Sequence, residues 1–235
     1  MSAGECAGER AGERAGERAS PRWASVVLDV DNTLAGVEGI DWLAARRGGA
    51  VASRVRDMTA RAMRGEIPLD AVYGERLAII RPGVDDIAAL AVAYEEHVAR
   101  GAPEAIAALR AAGVRLALVS GGVRQAILPM ARALGFADGD LHAVELRFDA
   151  GGAYAGFDTA SPLATQEGKP AVVRSIAPAL PRPVLAVGDG STDAAVRPVV
   201  EAFAAYTGFT RREAVVRAAD LVIESFLQLR EVVLQ

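Results

Sequence analysis

Val26, Val27 and Leu28 form an uninterrupted apolar run that stops at two aspartates, Asp29 and Asp31, with one residue between them. A short apolar run bounded by polar turn residues predicts a fully buried strand. Side chains alternate along a strand, so Asp29 and Asp31 project to one side as the chain leaves the sheet, where Asn32 and Thr33 begin a turn. The period then becomes helical over 38–47 and 51–64, with Gly48 and Gly49 between. A third helix runs from Pro68 to about Ile80, where Arg81 and Pro82 end it. Beyond a helix at 84–100 the pattern alternates: helix 103–112, strand 115–120, helix 123–134. An antiparallel pair of strands is predicted around 143–148 and 152–157. Helix 170–180, strand 184–187, a short helix after Asp193, strand 202–206, helix 211–218, strand 220–223 and a terminal helix complete the chain.

Strands separated by helices imply a parallel sheet covered on both faces. Three successive helices between the first two strands are too many for a plain crossover and read as an insertion over the sheet edge. The expected fold class is α/β, a Rossmann-like doubly wound parallel sheet core with a small helical cap inserted after the first strand. Residues 23–36 and 83–235 are assigned to the core and 37–82 to the cap. In such sheets ligands bind outside the carboxyl ends of the strands, at the topological switch point. Residues 1–22 stand apart: from Ala3 a tetrapeptide, Ala-Gly-Glu followed by Cys or Arg, repeats four times to Arg18. With balanced charge, no apolar face and glycine at every fourth position, it buries too little to offset ordering entropy, and a disordered low-complexity tail is expected. It lacks the apolar stretch of a secretory signal, and its period is too short for a solenoid.

Composition removes several classes of partner. At 235 residues, 51% hydrophobic and 24% charged, the chain reads as an ordinary globular protein. A net charge of -4 offers no attraction to nucleic acid or an anionic membrane, so neither is expected as a partner. No stretch approaches the roughly 18 apolar residues of a membrane span. Cys6 is the single cysteine, which excludes an internal disulfide framework and a cysteine metal cage and makes a cytoplasmic location the best fit.

Three strand ends carry chemistry. Asp29 and Asp31 would repel one another without a proton or a cation between them. Ser120, Gly121 and Gly122 follow the second core strand just before a helix N-terminus, where free amides suit an anion. Asp189 and Asp193 flank the turn after a third strand, and Asp193 also suits a helix cap. Among 26 basic side chains Lys169 is the only lysine. A lysine is a compact ammonium on a slim stem, able to enter a crowded site as a point charge. A carboxylate can attack a phosphate monoester only when the negative charges are neutralised. Mg²⁺ prefers oxygen ligands, which suits aspartates with no histidine or cysteine among them. His97 and His142 lie away from every motif and read as structural or surface residues, against a Ser-His-Asp hydrolase or a histidine-bound zinc.

These motifs, in order, resemble the four signatures of the haloacid dehalogenase superfamily of phosphatases: Asp29 to Leu34, Ser120 to Gly122, Lys169, and Gly188 to Asp193. Val37 to Asp41, Met58 to Gly65, Glu75 to Ile80 and Tyr154 to Asp158 are similar to the superfamily members acting on O-phospho-L-serine, the animal form especially. The resemblance runs from about Ala24 to the C-terminus. It implies Mg²⁺-dependent hydrolysis of O-phospho-L-serine to L-serine and phosphate, the last step of serine biosynthesis. It makes Asp29 the nucleophile and Asp31 the general acid and base. Mg²⁺ would be held by Asp29, the backbone carbonyl of Asp31 and Asp189, with Asp193 supporting the metal shell and Lys169. Ser120, the Gly121 amide and Lys169 would bind phosphoryl oxygens; Glu38 would face the substrate ammonium and Arg76 its carboxylate. Thr192, where many relatives have asparagine, is kept as a substrate or phosphate contact. Leu69 stands where many have phenylalanine, which loosens the expected fit. Asn32, the chain's sole asparagine, occupies a position the family varies and is assigned only a turn role. The partner is thus a small-molecule substrate, with room for a homodimer. Two alternatives remain: a phosphatase or phosphotransferase of the same superfamily acting on another small phosphomonoester such as phosphohomoserine, and a phospho-aspartate receiver module, against which the inserted helices and the paired Asp29 and Asp31 weigh.

Overall fold

The computed structural model describes residues 21–235 apart from 64, 65 and 68, without the side chains of 60, 62, 63 and 69. The tail expected over residues 1–22 therefore lies outside the described residues as far as residue 20. So do the helix limits expected at Arg64 and Pro68, and the Leu69 side chain.

Strand β1 (Ser25–Leu28) is buried along its whole length, as its apolar run requires. The chain then forms three helices, α1 (Gly39–Arg46), α2 (Gly49–Met63) and α3 (Leu69–Ile80), before α4 (Val84–Glu96) and α5 (Ala102–Ala111). Strand β2 (Arg115–Val123), α6 (Arg124–Ala133) and β3 (Leu141–Val144) follow, then β4 (Leu146–Phe148) and β5 (Tyr154–Phe157). Helix α7 (Gly168–Ile176), β6 (Val184–Gly188), α8 (Ser191–Ala194), β7 (Ala202–Tyr206), α9 (Glu213–Ala218), β8 (Leu221–Ile223) and α10 (Phe226–Leu234) complete the order. Local chemistry sets several limits. Gly48, at φ 99°, takes the left-handed conformation between α1 and α2 that a side chain would strain. The Ser225 hydroxyl accepts the Gln228 amide at 3.2 Å and caps α10.

Six strands form one parallel sheet in the order β3-β2-β1-β6-β7-β8. β1 lies between β2 and β6, and Leu28 is level with Leu118 on one side and Val187 on the other. β1 and β6 reach their carboxyl edge at about this level, while β2 runs on to Val123. β1 is also where the winding reverses, one half of the sheet being built outward to β3 and the other to β8, so this edge is the switch point at which ligands bind. Helices α1 to α3 fill the stretch between β1 and α4. Arg47 joins them to α4, with Nε donating to the Ile80 carbonyl (2.8 Å) and Nη1 to the Asp86 carboxylate (3.3 Å). Among the described residues no helix is long and apolar enough to cross a membrane.

Three sequence expectations are corrected. The strand expected over 115–120 runs on to Val123, so Ser120, Gly121 and Gly122 lie within β2 rather than in the turn after it. The strand expected over 143–148 is two strands in two sheets: β3 extends the main sheet parallel to β2, and β4 pairs antiparallel with β5. Gln125 is the cause. Its side-chain amide donates to the Leu146 carbonyl (2.7 Å) and its oxygen accepts the Leu146 amide (3.1 Å), so a side chain takes the backbone bonds that would have continued the main ladder. The helix expected over 170–180 ends at Ile176 and passes into a 3-10 turn at Ala177–Ala179, where Pro178 has no amide to donate.

Candidate active site

A cavity of about 360 Å³ opens at the carboxyl edge of β1, β2 and β6. Asp29, Asp31, Glu38, Arg76, Ser120, Gly121, Lys169, Asp189, Thr192 and Asp193 all line it, so the structure brings every site residue expected from the sequence to one place. His97 and His142 do not line it.

Asp29 follows β1 directly, Asp189 follows β6, and Asp193 lies in α8, the helix after that turn. One carboxylate oxygen from each lies within 4.8 Å of the others. All three are buried, as is Lys169, at no more than 8% exposure. The Lys169 ammonium sits 2.6 Å from both Asp29 Oδ1 and Asp193 Oδ1. Burial alone would discharge it, but the carboxylates of Asp193 and Asp29 outweigh burial and hold it protonated above the ordinary lysine range. Asp29 is pushed up to about 7 by burial and by the charge of Asp193, against the pull of Lys169. Lys169, with the Arg212 guanidinium paired to Asp189, thus sets two cations against three buried carboxylates. Carboxylate oxygens converging in this way, with no nitrogen or sulfur ligand among them, are the donor set of a hard divalent cation, and the cluster fits one.

Asp31 is held differently. Tyr94 of α4 donates its hydroxyl to Oδ1 (2.6 Å) and the Gly39 amide donates to Oδ2 (2.9 Å). Burial and then the Asp29 charge push its carboxyl up to about 6 against those bonds, within reach of both protonation states near neutral pH. The Ser120 hydroxyl accepts the Gly122 amide at 3.0 Å, which leaves its own proton free to donate. A Cβ at Gly122 would stand 3.1 Å from that hydroxyl oxygen and 3.2 Å from Asp31 Oδ1, so a larger residue would crowd both groups.

Lys169 owes its position to its neighbour. A Cβ on Gly168 would fall 1.9 Å from the Pro162 carbonyl oxygen and 2.8 Å from the Leu163 Cα, backbone that cannot yield without moving the start of α7. Gly168→Ala is expected to destabilise the protein by about 1–3 kcal/mol and to lower its activity by displacing the ammonium. Thermal melting and turnover measured together check this; parent values for both would show that the 162–168 loop accommodates the methyl.

On the inserted segment, Glu38 precedes α1 and opens to the cavity. Lost hydration among the surrounding walls, then Asp31 and Asp41, push its carboxyl up to about 7, against Arg212 and Arg76. Arg76 on α3 donates from Nη1 to the Thr59 hydroxyl (3.4 Å) and lies 5.9 Å from the centre of the Tyr73 ring. Asn32 does more than the turn role expected of it. At φ 52° it directs its amide Nδ2 to Glu38 Oε2 at 2.8 Å.

Sequence reasoning missed three residues. Tyr94 meets Asp31 across 63 residues of chain from within the apolar pattern of α4, which marks it only as core. Arg212 pairs with the Asp189 carboxylate and donates to its carbonyl (3.2 Å). It was one arginine among many in an arginine-rich chain. Tyr73 lines the cavity with its ring edge-on to Phe157, centroids 5.4 Å apart, and its place one turn before Arg76 on α3 was the available signal.

A parallel sheet whose switch point gathers an acidic, lysine-bearing centre under inserted helices defines an α/β protein with a candidate cation-assisted active site at that edge. A family model for haloacid dehalogenase-like hydrolases matches residues 26–196. The chain belongs to the haloacid dehalogenase-like hydrolase family. It is 34% identical over 206 residues to the phosphoserine phosphatase of Bos taurus, covering 87% of this chain and 91% of that one. It is also 34% identical over 208 residues to the chloroplastic phosphoserine phosphatase of Arabidopsis thaliana, covering 87% and 70%. Among solved structures, a phosphoserine phosphohydrolase-like protein from Francisella tularensis superposes with a TM-score of 0.78 at 23% identity, covering 88% of this chain and 98% of that one, a likeness of fold.

Proposed function

We propose that the protein hydrolyses O-phospho-L-serine to L-serine and phosphate with Mg²⁺, through a phosphoryl group carried on Asp29. Its class is that of the phosphoric monoester hydrolases. The observation that carries the substrate is that one cavity holds both the Asp29, Lys169 and Ser120 set and, from the inserted segment, Glu38 and Arg76. An amino acid has an ammonium and a carboxylate, and this opposite pair matches both ends; a guanidinium fork on a carboxylate adds directional fit.

Asp29 attacks phosphorus in line with the seryl oxygen, breaking the ester bond and forming the acyl phosphate. Asp31, protonated at the start, gives its proton to the leaving seryl oxygen. It then takes one from the water that cleaves the acyl phosphate, so that Asp29 is regenerated and phosphate leaves. Tyr94 and the Gly39 amide hold Asp31 in place through both steps. Lys169, the Ser120 hydroxyl and the Gly121 amide take the phosphoryl oxygens, whose charge spreads as the bond breaks. Asp29, Asp189 and the backbone carbonyl of Asp31, with Asp193 in support, would hold Mg²⁺, which would supply neutralisation of the charge that otherwise keeps the carboxylate and the phosphoryl oxygens apart. Thr192 completes the wall, and α1 to α3 cap the cavity so that bulk water is excluded during transfer. The single cysteine accords with a cytoplasmic setting.

Phosphate release from O-phospho-L-serine, with Mg²⁺ and after chelation, tests this directly. Many equivalents per chain are expected with Mg²⁺ and a fall of at least about a hundredfold without it. A panel including O-phospho-L-homoserine and sugar phosphates should be turned over more slowly. Faster turnover of another member, or release that halts at one equivalent, would overturn the proposal.

A further inference from the structure

We propose that Asn32 is a positioning residue for substrate recognition, its side-chain amide holding the Glu38 carboxylate where the substrate ammonium arrives. The inference rests on the reading of Glu38 as the ammonium's partner. Glu38 stands among charges of both signs: Asp31 and Asp41 repel its carboxylate, and Arg212 and Arg76 favour it without pairing with it. A neutral donor fixes an anion without cancelling the charge the ammonium needs, whereas an arginine in its place would compete with the substrate. Asn32 Nδ2 is such a donor, 2.8 Å from Glu38 Oε2.

The backbone makes this reach possible. Asn32 sits at φ 52°, a left-handed conformation that asparagine tolerates better than other residues bearing a side chain. Its own amide donates to the Val37 carbonyl at 3.2 Å, closing the loop that brings Glu38 back beside it. The loop begins one residue after Asp31, so the carboxylate facing the ammonium is referenced to the turn that carries the reacting groups rather than to the inserted helices alone. Preorganised contacts of this kind affect binding more than the chemical step.

Asn32→Gly provides the test because glycine accepts φ 52° and only the amide side chain is lost. For O-phospho-L-serine, KM is expected to rise about tenfold, the scale of a hydrogen bond to a charged group, with kcat within about twofold. For 3-phosphooxypropanoate, which keeps the phosphate and carboxylate at the same spacing but lacks the ammonium, the variant and parent should match, read as turnover or as competitive inhibition. Asn32→Asp, which cannot donate when ionised and adds a like charge, should raise KM for phosphoserine further. An unchanged KM in Asn32→Gly, or an equal loss on both compounds, overturns the inference and leaves the proposed function standing. A parent that does not act on O-phospho-L-serine removes both.

Discussion

Asp29→Asn is expected to lower phosphate release by roughly four orders of magnitude or more while the protein stays folded. The amide matches the carboxylate in shape but is no nucleophile toward phosphorus, so no phosphoryl group can be carried on the chain. The cavity also loses one of the three acids that converge within 4.8 Å, which weakens its hold on a divalent cation. Stability should move the other way. Burial and Asp193 push the Asp29 carboxyl up to about 7, so its charged form is held at a cost, and a neutral residue relieves it. Melting of the metal-free variant at or above the parent temperature, with no turnover and no acid-stable labelled acyl phosphate in a quench, is the expected pair of results. Turnover as fast as the parent's would dispose of the covalent step.

Lys169→Arg is expected to lower kcat/KM by about a hundredfold to a thousandfold, the scale of losing one donor to the developing charge. Charge is conserved in this change, so what is tested is shape. The ammonium lies 2.6 Å from two carboxylates at once, in surroundings that leave it 8% exposed. A planar guanidinium is wider and places its donors as a fork. To fit, it would have to displace the Asp29 or Asp193 carboxylate, or withdraw from the phosphoryl site. Lys169→Ala should show the structural share of the ammonium: Asp29 and Asp193 lose their buried partner, at a cost on the order of 3–5 kcal/mol in metal-free protein. An unchanged kcat/KM in Lys169→Arg would mean that any cation serves there.

Most of the chemistry was legible because it lies at strand ends, where a short apolar run followed by polar residues marks both the strand and the edge at which it stops. Asp29, Ser120 and Asp189 are of this kind. Lys169 was visible for another reason, as the compositional exception in a chain that otherwise uses arginine. Glu38 and Arg76 were not readable from period or spacing, since a charged residue beside a helix is usually a solvated one, and only the likeness to a known family singled them out. Tyr94 and Arg212 carried no mark at all. Their roles depend on which helix packs over which strand end, and the hydrophobic pattern records burial without naming the partner. The split of 143–148 between two sheets was hidden in the same way, because the cause is a glutamine 21 residues earlier in the chain.

From its sequence alone this protein had already settled that parallel strands alternate with helices, that helices are inserted after the first strand, and that acids and a hydroxyl follow the apolar runs of strands, with a lone lysine at a helix start. Periodicity is a local property, and these features need nothing more. Only the tertiary structure decided that Asp29, Ser120 and Asp189 stand around one cavity, that Tyr94 grips Asp31, and that Asn32 lies against Glu38. Those depend on sheet register and on side chains meeting across long stretches of chain, which arise when the core closes and all its packing requirements are met together.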